Sequence, residues 1–351
     1  MTAVDPRVSN TAGPPPHPPA RWWRRMLHDR WARIAAAGWL AANAWVLLVT
    51  DGPLPFEWPN ATSPSVEAQL LDANLALLQV FALMALVRVI TRGRVAPDLL
   101  ARAPGRSIAQ RETLLLLGYG VLGLAGGFLL ARSLGWQSFG LHLAGSLHAT
   151  HDNVGPVEAV TWAVYNLAVY AVAPLLFFRR RYAALALNLR STDRRNDALV
   201  ILAVLAVETA FQLFTLGPGT FELTTSQLAL GAAATFVLYL AGAVLPAMVF
   251  IYAILVPRYL RLTGSTLGTV VLGGVTYAAL HVWDSWTLFD SPANAILSTI
   301  FLLFTYFGPG MIKAYLTVRT GNAWVHVWAY HALAPHTLVD TPHTVEIFHI
   351  R

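Results

Sequence analysis

The sequence predicts an all-α, polytopic membrane protein of about nine transmembrane helices, with the N-terminus inside and the C-terminus outside. Three observations lead there. Apolar residues make up 56% of the 351 residues and charged residues only 12%, about half the charged share of a soluble domain. Such a chain cannot cover a water-facing surface. Apolar runs long enough to cross about 30 Å of hydrocarbon recur along the chain. Between them, arginine-rich segments alternate with segments that have no basic residue.

Residues 1–31 come first. The stretch 1–20 is rich in proline and small polar residues and cannot build a core. RWWRRMLHDRW at 21–31 interleaves arginines with Trp22, Trp23 and Trp31, which suits an anchor at headgroup level. The expected spans are 33–50, 68–90, 113–133, 158–178, 197–217, 227–257, 266–283, 293–312 and 322–339. The sixth is the longest and contains Pro246, so a kink or tilt is expected. In the third, Gly123 and Gly127 form a GxxxG pair that lets helix backbones approach closely. Packing inside the bundle is the simpler use for it than dimerisation.

The charges fix the orientation. The N-terminal region and the segments 91–112, 179–196, 258–265 and 313–321 hold nearly all the Arg and Lys, including Arg94, Arg102, Arg179, Arg180, Arg181, Arg258, Arg261, Lys313 and Arg319. The alternate segments 51–67, 134–157, 218–226 and 284–292 hold none; Arg132 and Arg351 are the exceptions. The net charge of +6 is therefore a topology signal, and no nucleic-acid partner is expected. The bilayer is the first partner, and a bacterial cytoplasmic membrane is the expected location. With no cysteine, disulfides, thiolate metal sites and a cysteine nucleophile are excluded.

Charges inside hydrocarbon are costly, so those that remain are the functional candidates. Glu158, Asp197 and Asp284 lie at span edges. Asp72 is one turn inside the second span, where water is near. Glu208 is eleven residues past Asp197, about 17 Å deep, with Gln212 one turn on. Nine of the eleven histidines lie from residue 142 onward. His142, His148 and His151 read as solvated loop residues or a loop metal site. His281 and Asp284 share a helix face. His326, His331 and His336 are spaced by five, so no single α-helical face presents all three. Pro335 is expected to end or bend the last helix before His336.

The later half resembles a known family. The stretch FGPGMIKAYLTVRTGNAWVHVWAYHALAPH, 307–336, with Tyr277-Ala-Ala-Leu-His281 and VPRYLRLTGS at 256–265, is similar to the CAAX protease and bacteriocin-processing (CPBP, or Abi) family of intramembrane metalloproteases. The resemblance spans roughly 160–340. Tyr277 and His281 stand for the family's F-x-x-x-H motif, and His331 opens its H-x-x-x-N motif. The family's E-E-x-x-x-R motif falls on 247–252, which reads Ala-Met-Val-Phe-Ile-Tyr, and the asparagine falls on Pro335. The general base and the asparagine are thus absent, while both histidines are kept.

Four segments follow from this reading: 1–31 the tail and interfacial segment, 32–157 an N-terminal three-helix region, 158–340 the CAAX-protease-like domain, and 341–351 a short outer tail. The leading expectation is a catalytically degenerate member of that fold that binds or scaffolds a membrane protein or peptide partner. One alternative is an active metallopeptidase with a rearranged site, in which Glu208, His281 and His331 serve as catalytic residues and as zinc ligands. Another is a proton-coupled transporter built on Glu208 and the histidines.

Overall fold

The computed structural model describes residues 28–50, 65–144, 154–215 and 220–351. Every expected span is a helix: α1 Arg30–Val49, α2 Val66–Ile90, α3 Arg106–Ser133, α4 Pro156–Arg179, α5 Arg194–Thr215, α6 Thr225–Thr263, α7 Thr266–Ala279, α8 Pro292–Thr320 and α9 at 324–338. Seven of these, α1 to α6 and α8, are long and apolar enough to cross a membrane. The two shorter ones are α7, of 14 residues, and α9. The seventh span stops early because the backbone tightens into turns after Ala279, where the His281 amide bonds the Ala278 carbonyl at 3.0 Å, three residues back. Helix α3 starts well before residue 113 because Glu112 is neutralised there: Arg258 Nη2 lies 2.6 Å from its carboxylate.

Four prolines shape the helices. Pro174, Pro246 and Pro257 each sit in the first turn of an α segment that follows a π-wound stretch, at Leu167–Val172, Leu240–Val244 and Met248–Leu255. A proline has no N–H to lose in a first turn, so the break in winding accommodates it. Pro335 behaves differently from expectation. Helix α9 neither ends nor breaks at it, because Val327–Leu338 is π-wound throughout and runs past it to Leu338.

Helix α6 is the central element, with every residue from Ala247 to Val256 at 2% exposure or less. The surrounding helices face outward with leucines such as Leu48, Leu115 and Leu122, as lipid-facing surfaces do. The glycines of α3 turn inward. A Cβ on Gly123 would stand 2.8 Å from the Tyr170 hydroxyl, and one on Gly127 3.0 Å from the Phe139 carbonyl. The GxxxG pair therefore serves internal packing. Helices α7 and α8 also touch backbone to backbone, since a Cβ on Gly274 would be 2.7 Å from the Phe307 carbonyl oxygen.

Two ends of the bundle can be told apart by their contacts. At one, Asp29 accepts from Ser265 Oγ at 2.7 Å, Arg94 meets Asp197 at 2.5 Å and the Thr320 carbonyl at 2.7 Å, and Arg102 reaches the Gly321 carbonyl at 2.6 Å. Arg261 joins them through the Leu100 carbonyl at 2.5 Å. At the other, the Leu141 amide donates to the Leu280 carbonyl at 3.1 Å, and the Gln137 amide to Glu158 at 3.0 Å. The arginine-rich segments gather at a single end, as their alternation predicts.

Candidate functional site: a buried histidine–tyrosine cluster

The close approach of α7 and α8 sets Tyr277 against Lys313, whose Nζ lies 3.7 Å from the ring centroid, within cation–π range. Tyr277 then links two histidines. Its carbonyl accepts from His281 Nδ1 at 2.6 Å, and its hydroxyl lies 3.0 Å from His331 Nε2. A carbonyl can only accept, so His281 carries its proton on Nδ1 and keeps a lone pair on Nε2. His281 Nε2 and His331 Nδ1 are both buried and have no hydrogen-bond partner among the described residues.

On the far side of His281, its ring stacks on Tyr306 with centroids 3.8 Å apart. Tyr306 in turn donates its hydroxyl to Asp284. Asp284 lies in the loop after α7, and burial pushes its carboxyl up to about 7.

Helix α9 contributes more than expected. The spacing of five appeared to scatter His326, His331 and His336. Hydrogen bonds from i to i+5 stack residues five apart instead, and α9 is wound that way. His326 and His331 have ring centroids 5.8 Å apart, and His331 and His336 5.1 Å. His336 Nδ1 donates to Asp340 Oδ2 at 2.9 Å, with both groups buried. Tyr239 of α6 covers His336 at 4.6 Å.

The loop after α3 supplies a fifth histidine. His142 is 7% exposed, which corrects the reading of it as a solvated loop residue. Its ring lies 5.6 Å from His281 and 5.1 Å from His336. The loop is drawn inward by hydrogen bonds to the Gly140 carbonyl from Trp162 Nε1 at 2.9 Å and Asn166 Nδ2 at 2.8 Å. Burial, with the charge of His336 behind it, pushes the His142 imidazole down to about 3. His148 and His151 lie outside the described residues.

Glu208 takes a different place. It is 1% exposed, and its carboxylate accepts from Gln79 Nε2 at 2.9 Å and Gln212 Nε2 at 3.0 Å. No hydrogen bond joins it to a histidine among the described residues. Where the resemblance calls for two carboxylates, Ala247 and Met248 are packed in the apolar core of α6, 0% and 2% exposed. Tyr252 faces His326 with centroids 4.3 Å apart. Asp72 is exposed, as its depth near the span end suggested.

Among the described residues, no three histidine, aspartate or glutamate side chains form a group that could hold a metal ion. The expected zinc ligands Glu208, His281 and His331 do not make such a set in this arrangement. The sequence reading missed Lys313, Tyr306 and the His336–Asp340 pair. Lys313 was assigned to an inner loop, yet α8 continues to Thr320 and buries it to 2% exposure. Two signals could have found them. Tyr306 and Lys313 are seven apart, on one helix face, and His336 and Asp340 are four apart.

No family model matches the chain, and no curated protein and no solved structure is significantly similar to it.

Proposed function

We propose that this is a nine-pass membrane protein on a CAAX-protease-like scaffold that has lost the peptidase base and holds a membrane peptide or protein partner. Both short helices run between the two ends of the bundle. Helix α7 begins beside Ser265, which meets Asp29, and finishes beside Leu280, which meets Leu141. Helix α9 begins beside Asn322, which donates to Asp197 at 2.9 Å, and finishes near Thr341 beside Gly231. Nine passes put the arginine-rich end and the N-terminus inside and the C-terminus outside. Single cysteines at Leu100 and Gly155, in a chain with none of its own, test this. A membrane-impermeant maleimide should label Gly155→Cys from outside and Leu100→Cys only from inside; the reverse pattern overturns the orientation.

The observation that carries the functional reading is the fate of the carboxylates. General-base hydrolysis needs a base within reach of the attacking water. Apolar Ala247 and Met248 stand where the family's glutamates would be, and the deep acid Glu208 is held by two glutamines. The test is hydrolysis of membrane-reconstituted peptides by folded protein. No cleavage above that of His281→Ala is expected, and chelator-sensitive turnover would sink the reading.

One contact favours a second reading, an active hydrolase. His336 is polarised by Asp340 in the way that a general-base histidine is, beside His142 and His331. In that case His336→Asn removes turnover from a protein that remains folded, and Glu208→Gln leaves it intact.

A further inference from the structure

At the arginine-rich end, away from the histidine cluster, the inner ends of α2, α6, α7 and α8 enclose a cavity of about 150 Å³. Its lining includes Thr91, Arg94, Ala96, Thr266 and Arg319, with Leu260 on an apolar wall. The volume is ample for a tetrahedral anion with some of its water.

The charges around it do not balance. Arg94 has a side chain only 2% exposed, and Asp197 meets its charge at 2.5 Å. Its Nη atoms are taken by Asp197, Asn196, Thr192 and the Thr320 carbonyl, while its buried Nε has no hydrogen-bond partner among the described residues. Among the described residues Arg319 bonds only Thr91, through the hydroxyl at 2.7 and 2.9 Å and the carbonyl at 3.2 Å. No carboxylate pairs with it among the described residues. Thr266 opens α7, so the positive end of that helix dipole faces the same corner. The neighbouring Arg102 feels the surplus: burial, and after it the charge of Arg94, hold its guanidinium below the ordinary arginine range.

An uncompensated guanidinium, a buried N–H without an acceptor, a hydroxyl and a helix N-terminus are the donors that recognise a phosphate group. We infer that this cavity binds a phosphate group, carried either by an anionic lipid headgroup of the inner leaflet or by free phosphate. Occupancy would tie together the inner ends of the four helices.

The test uses the full chain in a nonionic maltoside detergent. Melting temperature is followed while inorganic phosphate, dihexanoyl phosphatidic acid or, as a phosphate-free control, dihexanoylglycerol is added. At saturation a phosphate ligand should raise the melting temperature by roughly 3 °C or more, and dihexanoylglycerol should not. Arg319→Gln should abolish the rise, and Arg180→Gln, of equal charge change but on an exposed site elsewhere, should keep it. Ala96 is exposed at the cavity wall, so Ala96→Trp fills the space without altering charge and carries the test if Arg319→Gln fails to fold. A rise with phosphatidic acid alone identifies the headgroup as the ligand; a rise with inorganic phosphate as well identifies the bare anion. A rise no greater than that with dihexanoylglycerol, or one that survives Ala96→Trp, overturns the site.

Discussion

His331 and His336 stand with their rings 5.1 Å apart although five residues separate them, because Val327–Leu338 is wound as a π-helix. On an α-helix that spacing would turn the two rings to different faces. The wide turn also lets Pro335 stay inside the helix and lines up His326, His331 and His336 along one stripe. π-turns recur at functional sites because they trade backbone stability for side-chain placement. Here the placement meets His281 from α7 and His142 from a tucked-in loop.

That tuck depends on one close packing. A methyl on Gly242 would collide with the Trp162 ring, whose Nε1 holds the Gly140 carbonyl at 2.9 Å. Gly242→Ala should destabilise the protein by about 1–3 kcal/mol, seen as a lower melting temperature in detergent. Gly118, with nothing within 4 Å of an added Cβ, should accept alanine without a loss. Equal effects at the two sites would contradict the packing argument.

The arginine-rich half of the bundle is locked by a buried ion pair. Arg258 and Glu112 are 1% and 8% exposed in their side chains, the guanidinium lies over Phe178 at 4.6 Å, and Tyr182 donates to the same carboxylate at 2.8 Å. Removing one partner leaves an uncompensated charge, so Arg258→Gln or Glu112→Gln alone should cost about 3–5 kcal/mol. The double variant should cost much less than the sum. Strict additivity in a double-mutant cycle would show that the pair is not coupled.

Asp284 gives the stability a pH dependence with a definite sign. Its folded value, near 7, lies above the ordinary 3.8 because burial outweighs the hydrogen bonds it accepts. The group's contribution is therefore complete below 3.8 and is lost as pH rises through 7. The stability of the wild type relative to Asp284→Asn should fall between pH 5 and 7, by roughly 1 kcal/mol per pH unit. A difference that is flat or rises with pH would contradict the burial of this carboxyl.

Much of the architecture was legible in the sequence because it rests on one-dimensional signals. The hydrophobic runs anticipated the long apolar helices, seven of them able to cross a membrane by length and composition, and the arginine alternation anticipated that Arg94, Arg102, Arg261 and Arg319 gather at one end. The candidate site was legible only in part. His281 and His331 were singled out and do meet through Tyr277. Glu208 was singled out for its depth, but depth along a helix says nothing of azimuth, and its carboxylate faces Gln79 and Gln212. The remaining partners depended on features that a regular helix or loop does not reveal. The π-winding of α9 recruits His336, the inward fold of the loop recruits His142, and the extra turns of α8 bury Lys313.

The most direct test of the central claim, a protease-like scaffold without protease chemistry, is the metal content of the detergent-purified protein beside that of His281→Ala, His331→Ala and Glu208→Gln. The account predicts no stoichiometric metal in any of them and a folded Glu208→Gln variant. About one equivalent of zinc in the wild type, lost in the histidine variants while the fold stays intact, would contradict it and restore the metallohydrolase.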